Sequence, residues 1–207
     1  MTIIASAIVH DGVIIGSDSR LVNDDYGQRI IVSDTAQKVF LLKHAKAVIA
    51  TTGNFLVNPL DSKSQINKFF ANLDARMDDI APDEIAVELI SSIAQTNIAN
   101  NEFAIVKFLN GHPCIVSVTG QDFKINTAFG SNFFWGQSDS ILRLFNYDRP
   151  DAESVIQENC SLKKATEIVK FQIETTVKAN QYIEPIAGVG GLPQIYQITK
   201  NRITKLE

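Results

Sequence analysis

Thr2-Ile3-Ile4-Ala5-Ser6-Ala7-Ile8-Val9-His10-Asp11-Gly12-Val13-Ile14-Ile15-Gly16-Ser17-Asp18-Ser19-Arg20 follows the initiator methionine. Two β-rich runs, Thr2 to Val9 and Val13 to Ser19, are separated by His10-Asp11-Gly12, and the Asp-Gly pair is a strong hairpin turn signal. Both runs are apolar on alternate and intervening positions alike, the pattern of strands covered on both faces. The amino end of the chain is therefore placed inside a sheet, with further layers required on each side of it.

Working outward, Lys38 to Leu42 and Ala47 to Thr51 flank a charged turn at Lys43 to Lys46 and predict a second hairpin. A polar segment from Asn23 to Gln28 follows the first hairpin, within a long Asp18-to-Lys38 stretch read as adding to a surface loop. After Asn58-Pro59 the period changes. Ile66, Phe69, Phe70, Leu73 and Met77 recur at helical spacing, and Pro82-Asp83-Glu84 opens a second helix whose Ile85, Leu89 and Ile93 share a face. Phe103 to Leu109 and Cys114 to Thr119 form a hairpin across Asn110-Gly111-His112, and Asn126 to Trp135 is one more strand. Helical spacing returns at Asp139 to Phe145 and from Ser161 to Ala179, where Ile168, Val169, Gln172, Ile173 and Thr176 mark one stripe. Gln194 to Thr199 and Ile203 to Leu206 close the chain as a hairpin. Hairpin-linked strands with segregated helix pairs predict an α+β fold, a four-layer αββα sandwich of two mostly antiparallel sheets between helix pairs.

The bounds agree with one domain over residues 1–207. With 45% hydrophobic and 20% charged residues the composition is that of an ordinary globular protein, and no apolar run approaches the roughly 18 residues of a membrane span. A basic leader before the first apolar run is lacking, so a cytoplasmic location is expected. A formal net charge of −4, with both signs mixed along the chain, provides no basic stripe for nucleic acid. Cys114 and Cys160 stand apart and are read as reduced structural thiols.

Several chemistries are excluded by what the sequence lacks. It has no Gly-x-Ser-x-Gly elbow and no Walker-type Gly-Lys-Ser/Thr, and Gly188-Val189-Gly190-Gly191 leads into a strand where a phosphate cradle needs a helix. His10, His44 and His112 fall at hairpin tips without a second ligand at metal spacing, so they are read as solvent-exposed turn residues and no metal is expected. No organic cofactor is implied either.

Thr2, Asp18 and Lys38 remain. Once Met1 is removed, Thr2 carries both a hydroxyl nucleophile and a free α-amine, whose ordinary pKa of about 7.7–8.0 suits a general base. A nearby lysine would lower that amine's pKa and polarise the hydroxyl, and a carboxylate would keep the lysine charged and oriented. Thr2 opens the first strand, Asp18 ends the second and Lys38 opens the third, so neighbouring strands can bring them together. Each also has a plain alternative: an ordinary second residue, a strand stop, a solvated hairpin. If Met1 is retained, the α-amine is tied up in a peptide bond and the mechanism cannot run.

Thr2-Ile3-Ile4-Ala5, Gly16-Ser17-Asp18-Ser19-Arg20, Lys38-Val39-Phe40-Leu41-Leu42 and Ile49-Ala50-Thr51-Thr52-Gly53-Asn54 together resemble proteasome β subunits and their bacterial ring-forming relatives. The resemblance covers essentially the whole chain, because the element order and the Gly188-to-Pro193 segment also match. It implies an N-terminal nucleophile hydrolase with catalytic Thr2, Asp18 and Lys38. Arg20, Thr51, Gly53 and Gly190 are supporting residues in this reading, the Thr51-Thr52-Gly53 loop supplying a backbone donor to the oxyanion. It further implies a homo-oligomer, as a ring with helix faces buried between subunits, acting on peptides or amides. An associated ATPase is compatible with it, though no motif requires one.

The sequence departs from the family pattern at several places. The loop at Thr51 is one residue shorter, with threonine where the first loop glycine usually stands, and the stretch from Asp18 to Lys38 is longer. The family's Gly-Ser-Gly before the third helix corresponds either to Gly130-Ser131-Asn132 or to Trp135-Gly136-Gln137. Its C-terminal Asp and Ser are replaced by Ile186 and Val189, with Glu184 a carboxylate that could compensate. These departures support an alternative, a catalytically inactive proteasome-like scaffold or assembly subunit. A small-molecule amidase on the same fold is a third reading.

Overall fold

The computed structural model of the chain describes residues 1–25, 28–58, 60, 65–145, 154–184 and 186–206. Strands β1 (Ile3–Val9) and β2 (Gly12–Ser17) pair as the predicted hairpin, in a register that runs from Val9 opposite Gly12 to Ile4 opposite Ser17. Strand β10 (Asn132–Gly136) adds to the free side of β1. On the other side β2 pairs with β11 (Gln194–Ile198), which pairs with β12 (Ile203–Lys205). A second five-stranded sheet runs in sequence order through β5 (Val39–Leu42), β6 (Ala47–Thr51), β7 (Glu102–Leu109), β8 (His112–Thr119) and β9 (Asp122–Asn126). Every pairing in both sheets is antiparallel. Between β7 and β8 the turn is Asn110-Gly111, both at positive φ (52° and 84°), as a tight two-residue hairpin demands.

Period-two alternation in β1 and β2 decides where the layers meet. Ile4, Ile8, Val13 and Ile15 face the second sheet and pack with Val48, Ala50, Ala104 and Val106. The alternate set, Ile3, Ala5, Ala7 and Ile14, packs instead on Ala165, Val169 and Ile173 of α4 (Leu162–Ile183). On the second sheet, Ile49, Ile105, Val116 and Val118 turn to the other side. There they meet Phe70 and Leu73 of α1 (Ile66–Asp74) and Ile85 and Leu89 of α2 (Pro82–Ile93). Truncating any of these fully buried isoleucines or leucines to alanine is expected to cost about 2–5 kcal/mol.

The helix ends follow from local chemistry. Pro82 occupies the first turn of α2, where its missing N–H is not needed, and Glu84 Oε2 accepts from Ala81 N at 2.9 Å. Ser161 caps α4 by accepting from Lys164 N. Helix α3 (Asp139–Leu144) packs beside α4. No helix among the described residues is long and apolar enough to cross a membrane.

Two sequence readings are corrected. Asn126 to Trp135 is not one strand: β9 ends at Asn126 in one sheet and β10 begins at Asn132 in the other, so the run crosses between layers. The Asp18-to-Lys38 stretch read as surface loop contains a two-stranded sheet, β3 (Leu21–Asp25) and β4 (Gln28–Ser33). Tyr26 and Gly27 lie outside the described residues, as does the Pro59 that marks the change of period. The β4 strand is fastened from afar: the Arg29 guanidinium donates to Glu184 Oε2 at 2.5 Å and to the Ile186 carbonyl at 2.9 Å.

Candidate active site at the start of the first strand

Asp18 stands just past the end of β2, beside the start of β1, and its backbone N–H donates to the Ile3 carbonyl at 3.3 Å. Its carboxylate is saturated with donors. Oδ1 accepts from Lys38 Nζ at 2.9 Å and Ile3 N at 3.1 Å, while Oδ2 accepts from Gly190 N at 2.9 Å and Arg20 N at 3.2 Å. Lys38, immediately before β5, is wholly excluded from solvent. Burial pushes its ammonium below the ordinary lysine range, Asp18 opposes that, and the charge of Arg20 adds to it. Lys38 Nζ also donates to the Met1 carbonyl at 3.2 Å. That oxygen is joined through one carbon to the Thr2 nitrogen, so the ammonium lies within about 5.5 Å of the nitrogen that removal of Met1 would free.

Thr2 is 2% exposed, and its carbonyl accepts from Gln137 N at 2.7 Å. Trp135-Gly136-Gln137 is therefore the glycine-containing segment that lies against Thr2, whereas Gly130 lies at the far end of β1, its N–H donating to the Ile8 carbonyl at 2.9 Å. A side chain at Gly136 would run into the Thr2 carbonyl. Thr2 Oγ1 is buried without a hydrogen-bond partner, as is Ser6 Oγ in the middle of β1, among the described residues. Leaving a buried hydroxyl unpaired costs about 1–3 kcal/mol, so each such group calls for a reason.

The supporting residues are brought around this centre in different ways. Arg20 clamps Asp34 with Nε to Oδ1 at 2.6 Å and Nη2 to Oδ2 at 3.2 Å, and that contact holds the Asp34 carboxyl below its usual range. Its guanidinium lies where a side chain on Gly190 would sit. The hydroxyl of Thr51 is buried and donates to the Thr52 carbonyl at 3.0 Å, so it faces its own loop. Thr52 N is taken by the Glu102 carbonyl at 3.0 Å, and Gly53, at φ 83°, has no backbone partner for its N–H among the described residues. The Cγ2 of Thr52 comes within 3.2 Å of where a Gly136 side chain would be, which ties this loop to the Thr2 segment.

Two further observations were not foreseen from sequence. Asn101, just before β7, holds the loop: Oδ1 accepts from Asn54 N at 2.8 Å, and Nδ2 donates to the Asn54 carbonyl at 2.8 Å and to Thr51 Oγ1 at 3.2 Å. A cleft of about 610 Å³ opens beside the same loop, between β3, β4 and the start of α1. Val22, Val32, Phe55 and Ile66 form its walls, Gln37 and Asn54 add amide groups, and none of its lining side chains is charged. Glu184 is committed elsewhere: it accepts from Arg29 and, at 3.1 Å, from Gly188 N. Val189 is fully buried in the α4 cluster.

Antiparallel sheets with helices packed on them define an α+β architecture, with a threonine at the amino end of its first strand beside a buried lysine–aspartate pair. The chain matches no protein-family profile and no curated protein sequence. It is similar in structure to the Anbu (Gly-1) mutant from Hyphomicrobium sp. strain MC1. The TM-score is 0.71 at 13% identity, over 100% of this chain and 85% of that one. At that identity the likeness is one of fold.

Proposed function

We propose that the protein is a proteasome-like threonine hydrolase acting on peptide or other amide bonds, with Thr2 as nucleophile once Met1 is removed. The observation that carries this reading is the unpartnered buried hydroxyl of Thr2 beside an ammonium, Lys38, whose second acceptor is the carbonyl on the Thr2 nitrogen. Removing Met1 takes that acceptor away and leaves an α-amine near the lysine. The positive charge of Lys38 lowers the basicity of the amine and favours its neutral form. Asp18, fixed by four donors, keeps the lysine in place.

In this mechanism Thr2 Oγ attacks the substrate carbonyl carbon and its proton passes to the α-amine. The oxyanion is met by the N–H of Gly53, a donor of the kind whose loss costs about 2.7–4 kcal/mol. Collapse breaks the C–N bond, the departing amine takes the proton, and an ester on Thr2 remains. Water, deprotonated by the α-amine, then releases the acid and restores the hydroxyl. The uncharged cleft beside Gly53 favours an acyl portion with a neutral, largely apolar side chain, since a charge entering it loses hydration without gaining a counter-ion.

The three apolar clusters support a single-domain, four-layer αββα sandwich as the scaffold. By family resemblance the subunits would form a homo-oligomeric ring in the cytoplasm. A second reading, an inactive scaffold subunit, is favoured by Ile186 and Val189 standing where the family has polar groups. One experiment separates them. Protein whose intact mass shows Met1 removed should gain a single adduct from a threonine-directed electrophile, and Thr2→Ala should gain none; a processed wild type that takes no adduct is the scaffold.

A further inference from the structure

Asn101 directs all three of its side-chain hydrogen bonds to one short loop. Its side chain is 2% exposed, its carbonyl oxygen serves Asn54 N, and its two amide hydrogens serve the Asn54 carbonyl and the Thr51 hydroxyl. The orientation of the amide follows from those partners, since a backbone N–H demands the oxygen. Oδ1 also occupies the space a side chain on Gly53 would need, which pins that residue from the side. The adjoining backbone repeats the grip, with Thr52 N donating to the Glu102 carbonyl at 3.0 Å and Glu102 N donating to Thr52 Oγ1 at 3.3 Å. Thr52 N and both polar groups of the Asn54 backbone are thus tied to Glu102 or Asn101, and the Gly53 N–H between them has no partner among the described residues.

We propose that Asn101 is a positioning residue for acyl transfer: it fixes the Thr51–Asn54 loop so that Gly53 N–H is aimed before substrate arrives. This rests on the reading of Thr2 as nucleophile. A preorganised donor acts on the charge that develops in the transition state, whereas a donor on a loose loop must be ordered during the reaction. The carboxamide is required chemically. A carboxylate at this position could still accept from Asn54 N, but it would offer nothing to Thr51 Oγ1 and would face the Asn54 carbonyl with like charge.

The test uses full-length, Met1-processed protein with a neutral fluorogenic peptide amide and a matching peptide boronate, whose tetrahedral adduct places an oxygen at the donor. Asn101→Ala is expected to lower kcat about 10- to 100-fold with KM within about twofold, and to weaken the boronate in parallel. The pH profile should stay that of wild type, because Lys38 and the Thr2 amine are untouched. A folded Asn101→Ala with wild-type kcat and boronate affinity overturns the proposal. If that variant does not fold, Thr51→Val, which removes one acceptor of the Asn101 amide, decides: a several-fold fall in kcat supports the role and an unchanged kcat overturns it. A wild type inert toward both probes overturns the nucleophile reading itself, and this proposal with it.

Discussion

Lys38 Nζ stands 2.9 Å from Asp18 Oδ1 with both side chains wholly excluded from solvent. Taking both ions out of water is expensive, and the pair is tolerable because backbone donors from Ile3, Arg20 and Gly190 satisfy the rest of the carboxylate. Removing only one partner strands the other. Asp18→Ala is therefore expected to destabilise the fold by about 3–5 kcal/mol in urea titration, with Lys38→Met and Asp18→Asn combined recovering part of that loss. A cost of Asp18→Ala under about 1 kcal/mol would show that the pair is dispensable to the fold.

Neighbouring glycines should respond differently to the same substitution. In Gly190→Ala the new methyl would lie 2.5 Å from Arg20 Cζ and 2.9 Å from Nη2, and the guanidinium cannot yield without leaving Asp34. A loss of about 1–3 kcal/mol is expected, together with lowered activity. In Gly188→Ala the obstacle is the Met1 side chain, including Sδ at 3.0 Å. Thermal melts of processed and unprocessed Gly188→Ala should differ, the penalty being present only where Met1 remains.

Acid sensitivity has an identifiable contributor away from the site. Hydrogen bonds from Lys107 and Lys46 hold the Asp79 carboxyl at about 2, below its ordinary 3.8. A depressed carboxyl stabilises the folded chain above 3.8, and that contribution disappears as pH falls through about 2. Asp79 is half exposed, so solvent screening keeps the effect modest. Stability measured from pH 5 down to about 2 should fall less steeply in Asp79→Asn than in wild type. Superimposable curves would remove Asp79 from the account.

Substrate choice is checked with peptide amides that differ only in the side chain on the acyl side of the scissile bond. Leucine and glutamine are expected to exceed lysine and glutamate in kcat/KM by more than about tenfold, since the Val22, Val32, Phe55 and Ile66 walls offer no counter-ion. Val32→Asp should raise the lysine substrate relative to glutamate. Equal rates across the panel would mean the acyl side chain lies elsewhere.

The parts of this architecture that were legible in sequence are those specified locally. Asn110-Gly111 announced its hairpin because few other residues accept such a turn; the first hairpin also forms, but its turn is His10-Asp11, with Gly12 already in β2 opposite Val9. Thr2 and Asp18 could be grouped because β1 and β2 are hairpin neighbours, whereas Lys38 precedes β5 in the other sheet and meets Asp18 across the two layers. What escaped depends on distant partners. The β3 strand contains Asn23, Asp24 and Asp25, poor strand formers, and its partner β4 is held by Arg29 reaching Glu184, 155 residues away. Asn126 to Trp135 reads as one apolar run because nothing local says that its ends belong to different sheets. Asn101 carries no periodicity and no motif; only its three contacts, 47 and 50 residues back along the chain, distinguish it from Asn100.

The hydrogen bond from Gly190 to Asp18 spans 172 positions of sequence. An elongating polypeptide therefore lacks this restraint until its last strands have emerged from the ribosome and docked. Until then the aspartate has only its donors from the first 38 residues, Ile3, Arg20 and Lys38, and lacks the fourth that completes its hold on the lysine. If Thr2 is the nucleophile proposed above, a nascent chain built this way stays less reactive than the finished fold.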